Sequence, residues 1–513
     1  MSKTEKASSS QIAFNLVAGI VTFVISICIS LFVTPVIVEK LGSEANGFVN
    51  LANNFVSYAT LITVALNSME SRFVSICIYR DDYKGANKYF TSVFFANLLI
   101  AVVFAPIMFG FVLHLDSFLE VPEYLVGDVK IAFAIVFVQF LIEILTSRFD
   151  IALYVTNRLN LYYINQVVSS VIRLLVIILG FKLFSVRIIF LVLGSFIGKL
   201  FIVERNMHYT KKYLPDLKIK RNYFQWDSIK EVASSGVWNL VSKLSGILLD
   251  GLDLLITNIF IGAAQMGALS LSKTIPALFM NLRGTLDYPF APPMTECYAK
   301  GDIEGVVRYA RLGNKVLGIF MIAPMAVFFV FGRSFFSLWV PGEDAQLLQA
   351  LSLLSIVSLL AGSCINSIFT IFTITNHVKV NSLVILGTGV ATTFTVFVLL
   401  NTTDLGVYAI AGVSSFYALL RNFIFTPLYG AHCLGIKKST FYHEIFTGLL
   451  CFAVNSIVCF GVSAVVSSKT WIGFLVACCI SGIVCVGINI MVVLTKSDRQ
   501  QMLTAIKSKL NKK

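Results

Sequence analysis

The feature that most constrains this chain is a long series of apolar segments, each about 20 residues or more, separated by short polar turns. About 20 apolar residues in helical rise span the hydrocarbon of a bilayer. Within lipid every backbone N–H and C=O must be satisfied inside the protein, which leaves helices or a closed barrel. A barrel needs alternating segments of about ten residues, and these runs are longer and do not alternate. Charged residues make up only 13% of the 513 positions and hydrophobic ones 57%. A soluble domain carries about 25% charged residues. The mean hydropathy of +0.83 agrees, and an ordinary cytosolic enzyme is excluded.

Reading from turn to turn gives fourteen spans: 11–38, 47–78, 89–114, 131–154, 161–181, 184–203, 232–260, 266–290, 305–331, 345–375, 380–400, 407–426, 445–466 and 471–494. The expected fold class is therefore an all-α polytopic membrane protein with about 14 transmembrane helices. The first span follows Lys3 and Lys6. It is too long for a signal-peptide core and no small-residue cleavage site follows, so we expect an uncleaved first helix.

Lys and Arg number 40 against 27 Asp and Glu, a net +13. In a soluble domain that excess would point to nucleic acid; here it reports topology. Most of the cations fall at the N-terminus, in the even-numbered loops and in the tail from Lys496 to Lys513. The odd-numbered loops hold few, among them Lys40, Lys182, Arg187, Arg333 and Lys469. The positive-inside rule places both termini in the cytoplasm. The polar stretch 204–231 reads as a basic linker on anionic headgroups, and the tail as a surface amphipathic helix. The ten cysteines show no CxxC pair and no Cys/His cluster, and read as small hydrophobes.

The linker falls after six spans, and the second half repeats the first. Leu41-Gly42 through Gly47 to Leu51 matches Ile261-Gly262 through Gly267 to Leu271. Asn15-Leu16-Val17 matches Asn239-Leu240-Val241, and Tyr83-Lys84-Gly85 matches Ala299-Lys300-Gly301. Six is an even number, so the second copy enters the membrane with the same orientation, as a parallel repeat. The expected organisation is an N-lobe over 1–228, a C-lobe over 229–440, and two further helices with a basic tail over 441–513.

Several charges lie inside the spans, where each costs at least about 2.5–3.5 kcal/mol unless it meets water or a partner. Lys273 lies roughly 10 Å from the outer end of its span and Lys243 roughly 16 Å from the inner end of its own. Arg173 is mid-span, while Arg283, Arg72 and Arg148 lie nearer the cytoplasmic ends. Lys199 and Lys315 are close enough to an end to snorkel. Among the anions, Glu70 neighbours Arg72, Asp287 is one turn from Arg283, and Lys243 and Asp250 are two turns apart on one face. Asp250 and Asp253 either bind a coupling Na⁺ or H⁺ or touch water at the outer end. Asn15, Asn53 and Asn239 either contact sugars or hold helices together.

The glycines of LGSEANGFVNLANN, the polar NSMESRF end of the second span and the basic NKYF start of the third resemble the multidrug/oligosaccharidyl-lipid/polysaccharide exporter superfamily. Within it they resemble the branch of Wzx-type flippases. The resemblance implies a cleft lined by the first, second, seventh and eighth spans, which favours Arg72, Lys243, Lys273 and Arg283 as contacts to a lipid diphosphate, with Arg173 beside them. Arg offers a bidentate fork to such a group. Otherwise these cations are neutralised by local carboxylates or snorkel.

The implied function is to flip an undecaprenyl-diphosphate-linked oligosaccharide across a bacterial plasma membrane by alternating access. Implied partners are that lipid, membrane lipids, Na⁺ or H⁺, and polysaccharide polymerase machinery. The alternatives are a multidrug/cation antiporter of the same superfamily and a membrane glycosyltransferase or polymerase. The five histidines lack metal spacing, and no GxxxxGK[ST] loop occurs. We expect no catalytic residues, no metal and no cofactor.

Overall fold

The structure, a computed structural model, describes residues 25, 27, 28, 30–156, 158–287 and 290–494. The described residues form helices and no strand. They divide into two compact units, Met1–Ser270 and Leu271–Lys513.

The first unit contains α1 (30–41), α2 (Ser43–Tyr79), α3 (Tyr83–Leu113), α4 (Val126–Thr146), α5 (Leu159–Leu183) and α6 (Ile189–Tyr213). It continues through α7 (Trp226–Gly246), a π-helical turn Ile247–Gly251, α8 (Asp253–Phe260) and most of α9 (Ala263–Ser272). The second unit contains α10 (Thr274–Asp287), α11 (Ala291–Ala299), α12 (Ile303–Trp339), α13 (Ala345–Ser363) and α14 (Ile368–Ile374). It ends with α15 (Val378–Thr402), α16 (Val407–Leu420), α17 (Thr426–Leu434), α18 (Tyr442–Val465) and α19 (Trp471–Val493).

Eleven helical stretches are long and apolar enough to cross a membrane, and each corresponds to one expected span. The first expected span lies partly outside the described residues. The sixth is α6, one helix that also carries Lys199, Glu204 and Arg205. The eighth is broken at Lys273, between α9 and α10.

Proline chemistry explains that break. The ring of Pro276 excludes a hydrogen bond to the carbonyl four residues back, that of Ser272. The freed carbonyl accepts instead from the buried Ser352 hydroxyl on α13, at 2.7 Å. A hydroxyl on a neighbouring helix is how a proline break is tolerated at membrane depth.

The repeat is visible in local geometry and corrects the register at its downstream end. Gly42 and Gly262 both take positive φ, 83° and 130°, immediately before α2 and α9. Gly47 and Gly267 face each other: a Cβ on Gly267 would lie 2.6 Å from Ser43 C and Glu44 N. Downstream, Asp82 caps α3 by accepting from Gly85 N at 2.8 Å, and Asp302 caps α12 by accepting from Gly305 N at 2.8 Å. Asp82 N and Asp302 N donate to Cys77 O and Cys297 O, both at 2.9 Å. The true partner of Gly85 is thus Gly305, the same offset that relates Gly42 to Gly262; the match of Gly85 to Gly301 was out of step.

The linker is pinned to the first unit. The Asn87 side chain donates to Asp216 O at 3.0 Å and accepts from Lys218 N at 2.7 Å, and Ser92 Oγ accepts from Gln225 N at 2.9 Å. Leu214 and Leu217 are buried against Val74, Ile78 and Phe90. In the second unit α12 is the central helix, buried almost throughout from Leu317 to Ala326. α18 and α19 are tied to it by Asn455 Nδ2 to Asn489 Oδ1 at 2.9 Å and Asn489 Nδ2 to Ile319 O at 3.1 Å.

Candidate functional site

The spans hold two kinds of cation. One kind is fixed within the fold. Arg148 donates to Glu70 at 3.2 Å, with both side chains almost wholly buried. It also donates to the carbonyls of Ile144, Leu145 and Phe90, and its guanidinium lies over the Phe90 and Phe94 rings. Glu70 therefore serves Arg148 across the helices and does not serve Arg72, its neighbour in sequence. The reason is geometric: residues two apart on a helix point in different directions. Lys199 is likewise held, by Glu143 at 2.8 Å.

The other kind sits along the seam between α2 and α7. The two helices approach closely: a Cβ on Gly236 would fall 1.9 Å from Ala65 O. Asn239 Nδ2 donates to Ser68 Oγ at 3.0 Å across the seam. Arg72 is one turn beyond Ser68, and Lys243 one turn beyond Asn239, so each shares the face of its seam residue. Arg72 is exposed and Lys243 half-buried. Among the described residues neither takes a carboxylate partner.

Between Ser234 and Gly246 the exposed residues of α7 are Ser234, Ser235, Val237, Ser242 and Gly246. On α18 and α19 the large exposed side chains are instead apolar, among them Ile457, Phe460, Ile483 and Met491. Lipid requires the second pattern. The first is what a span shows where it borders water.

A π turn, Ile247–Gly251, follows Lys243 and contains Asp250. It interrupts the 3.6-residue period of α7 at its C-terminal end. It also frees Gly251 O, which accepts from Tyr58 Oη at 2.5 Å and from Asn54 Nδ2 at 3.4 Å. Asp250 is exposed, while Asp253 opens α8 and is buried at 5% exposure beside Tyr58. The two acids thus occupy different surroundings.

The remaining expected residues lie elsewhere. Arg173, on α5, packs its stem near Gly194 of α6, and its Nε has no hydrogen-bond partner among the described residues. Lys273 sits at the break between α9 and α10. Arg283 is half-buried one turn before Asp287, beside Gly362 and Asn422. Asp287 accepts from Asn366 Nδ2 at 2.7 Å and Ser367 Oγ at 2.6 Å. Asn53 is exposed and bonds back to Val49 O on its own helix. Asn15 lies outside the described residues. Sequence reasoning missed Ser68, Asn366 and Ser367, small polar residues that nothing in an apolar span distinguishes before their partners are known.

No family model matches the chain. A Bacillus subtilis (strain 168) protein described as the uncharacterized membrane protein EpsK is 29% identical over 490 residues, covering 95% of this chain and 97% of that protein. The structure of the lipid II flippase MurJ in an inward closed conformation matches with a TM-score of 0.65 at 13% identity, covering 93% of this chain and 98% of its own. An inward-facing multidrug resistance MATE family transporter of the MOP superfamily matches with a TM-score of 0.60 at 13% identity, covering 84% and 96%. The chain shares the fold of those two solved structures.

Proposed function

We propose, with that transporter fold as the premise, that the protein is a flippase of a bacterial plasma membrane. It moves a lipid-linked oligosaccharide, carried on undecaprenyl diphosphate, from the inner to the outer leaflet for surface polysaccharide synthesis. No covalent bond is made or broken. The observation that carries this reading is the open seam of α7 and α2, with Arg72 and Lys243 on it and, among the described residues, no carboxylate to hold either. A cation within a membrane span is tolerated where it borders water, and such residues mark substrate or ion pathways; a diphosphate is an anion that an Arg fork and a Lys point charge each suit. Ser68 and Asn239 supply hydrogen-bonding groups for sugar hydroxyls along the same stripe, with Asn53 on α2. Lys273, Arg283 and Arg173 are proposed as further phosphate contacts, and Asp250 and Asp253 as the Na⁺ or H⁺ sites that couple transport to a gradient. Both termini face the cytoplasm in this reading, as the loop charges require. The fold match to a lipid II flippase over nearly the whole chain supports a lipid-linked cargo.

The buried Asp253 beside Tyr58 favours a second reading, cation-coupled drug antiport. One reconstitution separates the two. In liposomes carrying a fluorescent oligosaccharyl diphosphoundecaprenol, the wild type flips the label out of reach of an external quencher. Arg72→Gln and Lys243→Gln flip at least tenfold more slowly at an unchanged melting temperature. Wild-type rates in both variants would remove these cations from the site. Export of a cationic dye with no lipid flipping would replace this reading with the antiporter.

A further inference from the structure

The second unit contains a cavity of about 1090 Å³ at the start of α12, the end of α19 and the loop joining α17 to α18. Four cations line it: Arg308, Arg311, Lys315 and Lys437. Glu304 is the acid in its wall. Arg311 is committed to the buried Glu444, to which its Nε donates at 2.5 Å. Arg308 and Lys437 are exposed. Among the described residues neither pairs with a carboxylate, Glu304 one turn before Arg308 included. Arg308 lies over the Tyr309 ring, 5.6 Å from its centroid. Thr440 and His443 also line it, and one side of the wall is apolar, built from Leu312, Val492, Val493 and Leu494.

Two properties of the cavity select its occupant. The excess of positive charge calls for an anion. The apolar wall belongs to two membrane spans at the level where they leave the bilayer, which the loop-charge bias assigns to the cytosolic side. A free phosphate would satisfy the first property and waste the second. The sequence of residues 495–513, with Lys496, Arg499, Lys507, Lys509, Lys512 and Lys513 against Asp498 alone, does not supply the anion that the first property calls for. We infer that this cavity is a binding site for an anionic phospholipid of the cytosolic leaflet. Arg308 and Lys437 grip the phosphate, and the glycerol and upper acyl chains lie against Leu312 and Val492. The site is separate from the α2–α7 stripe, and its test does not depend on transport.

The experiment measures retained lipid by native mass spectrometry on purified protein supplied with phosphatidylglycerol or phosphatidylcholine. The wild type retains phosphatidylglycerol preferentially. Each Lys or Arg near an anionic headgroup contributes about 1 kcal/mol, so Arg308→Ala/Lys437→Ala loses roughly ten- to thirtyfold in that retention and none for phosphatidylcholine. Arg308→Lys/Lys437→Arg restores most of it, and Glu304→Gln strengthens it. The melting temperature in phosphatidylcholine, equal in all variants, checks folding. Equal phosphatidylglycerol retention in the wild type and the double alanine variant would overturn the site. So would full displacement of the lipid by millimolar pyrophosphate, which would make the ligand a free phosphate.

Discussion

The Glu70–Arg148 pair gives the sharpest test of how this fold is held. Glu70 and Arg148 stand 3.2 Å apart with side chains 3% and 1% accessible. Removing one member of a buried pair strands a charge and costs about 3–5 kcal/mol, whereas replacing both with apolar groups of similar volume is often neutral. The two single losses are unequal here. Arg148→Met leaves the Glu70 carboxylate with no other donor among the described residues, so it incurs the full cost of about 3–5 kcal/mol. Glu70→Met leaves a guanidinium that still donates to three carbonyls and lies over two rings, and costs about 2–3 kcal/mol. The double variant costs about 0–2 kcal/mol, far below the sum. Reversible unfolding in mixed detergent micelles measures all four states, with melting temperature as a second readout. At roughly 2–4 °C per kcal/mol, Arg148→Met falls by about 6–20 °C and the double variant by a few degrees. A double variant as unstable as the two singles added together would refute the pairing.

Gly236→Ala sets a helix-propensity gain of about 1 kcal/mol against overpacking of about 1–3 kcal/mol, because its Cβ meets Ala65 O at 1.9 Å. It should lower the melting temperature, while Gly246→Ala, with nothing within 4 Å, should raise it or leave it unchanged. Ser352→Ala removes the hydroxyl that reaches the Ser272 carbonyl across the break and costs about 0.5–1.5 kcal/mol; Pro276→Ala in the same chain adds a helical N–H for that carbonyl and recovers most of it, read by the same melt. Asn87→Ala releases the strap at Asp216 and Lys218, and limited trypsin digestion near Lys218 to Arg221 should speed up at least tenfold.

What the sequence makes legible is set by period and range. Hydropathy placed the spans because each is a local run, and among the described residues eleven of them contain a helical stretch long and apolar enough to cross a membrane. The break at Lys273 was within reach, since Pro276 announces it. Charge pairing was not legible. Glu70 has Arg72 as a sequence neighbour and Arg148 as its structural partner, and only packing decides between them. The π turn at Ile247–Gly251, which contains Asp250, has no composition signal. The repeat was seen through its glycines, and its downstream register became clear only once Asp82 and Asp302 showed the same cap.

The polar stripe on α7 also bears on how the chain is made. α2 and α7 are among the least apolar of the described spans, so the insertion machinery gains little by releasing either one alone into lipid. α2 is synthesised first, with its seam uncovered until α7 emerges. The tight approach at Gly236 and the Asn239–Ser68 hydrogen bond then hold α7 in the membrane by contact with protein. A chain truncated just before Trp226 would lack that partner, and quality-control proteases would meet its unfinished seam first.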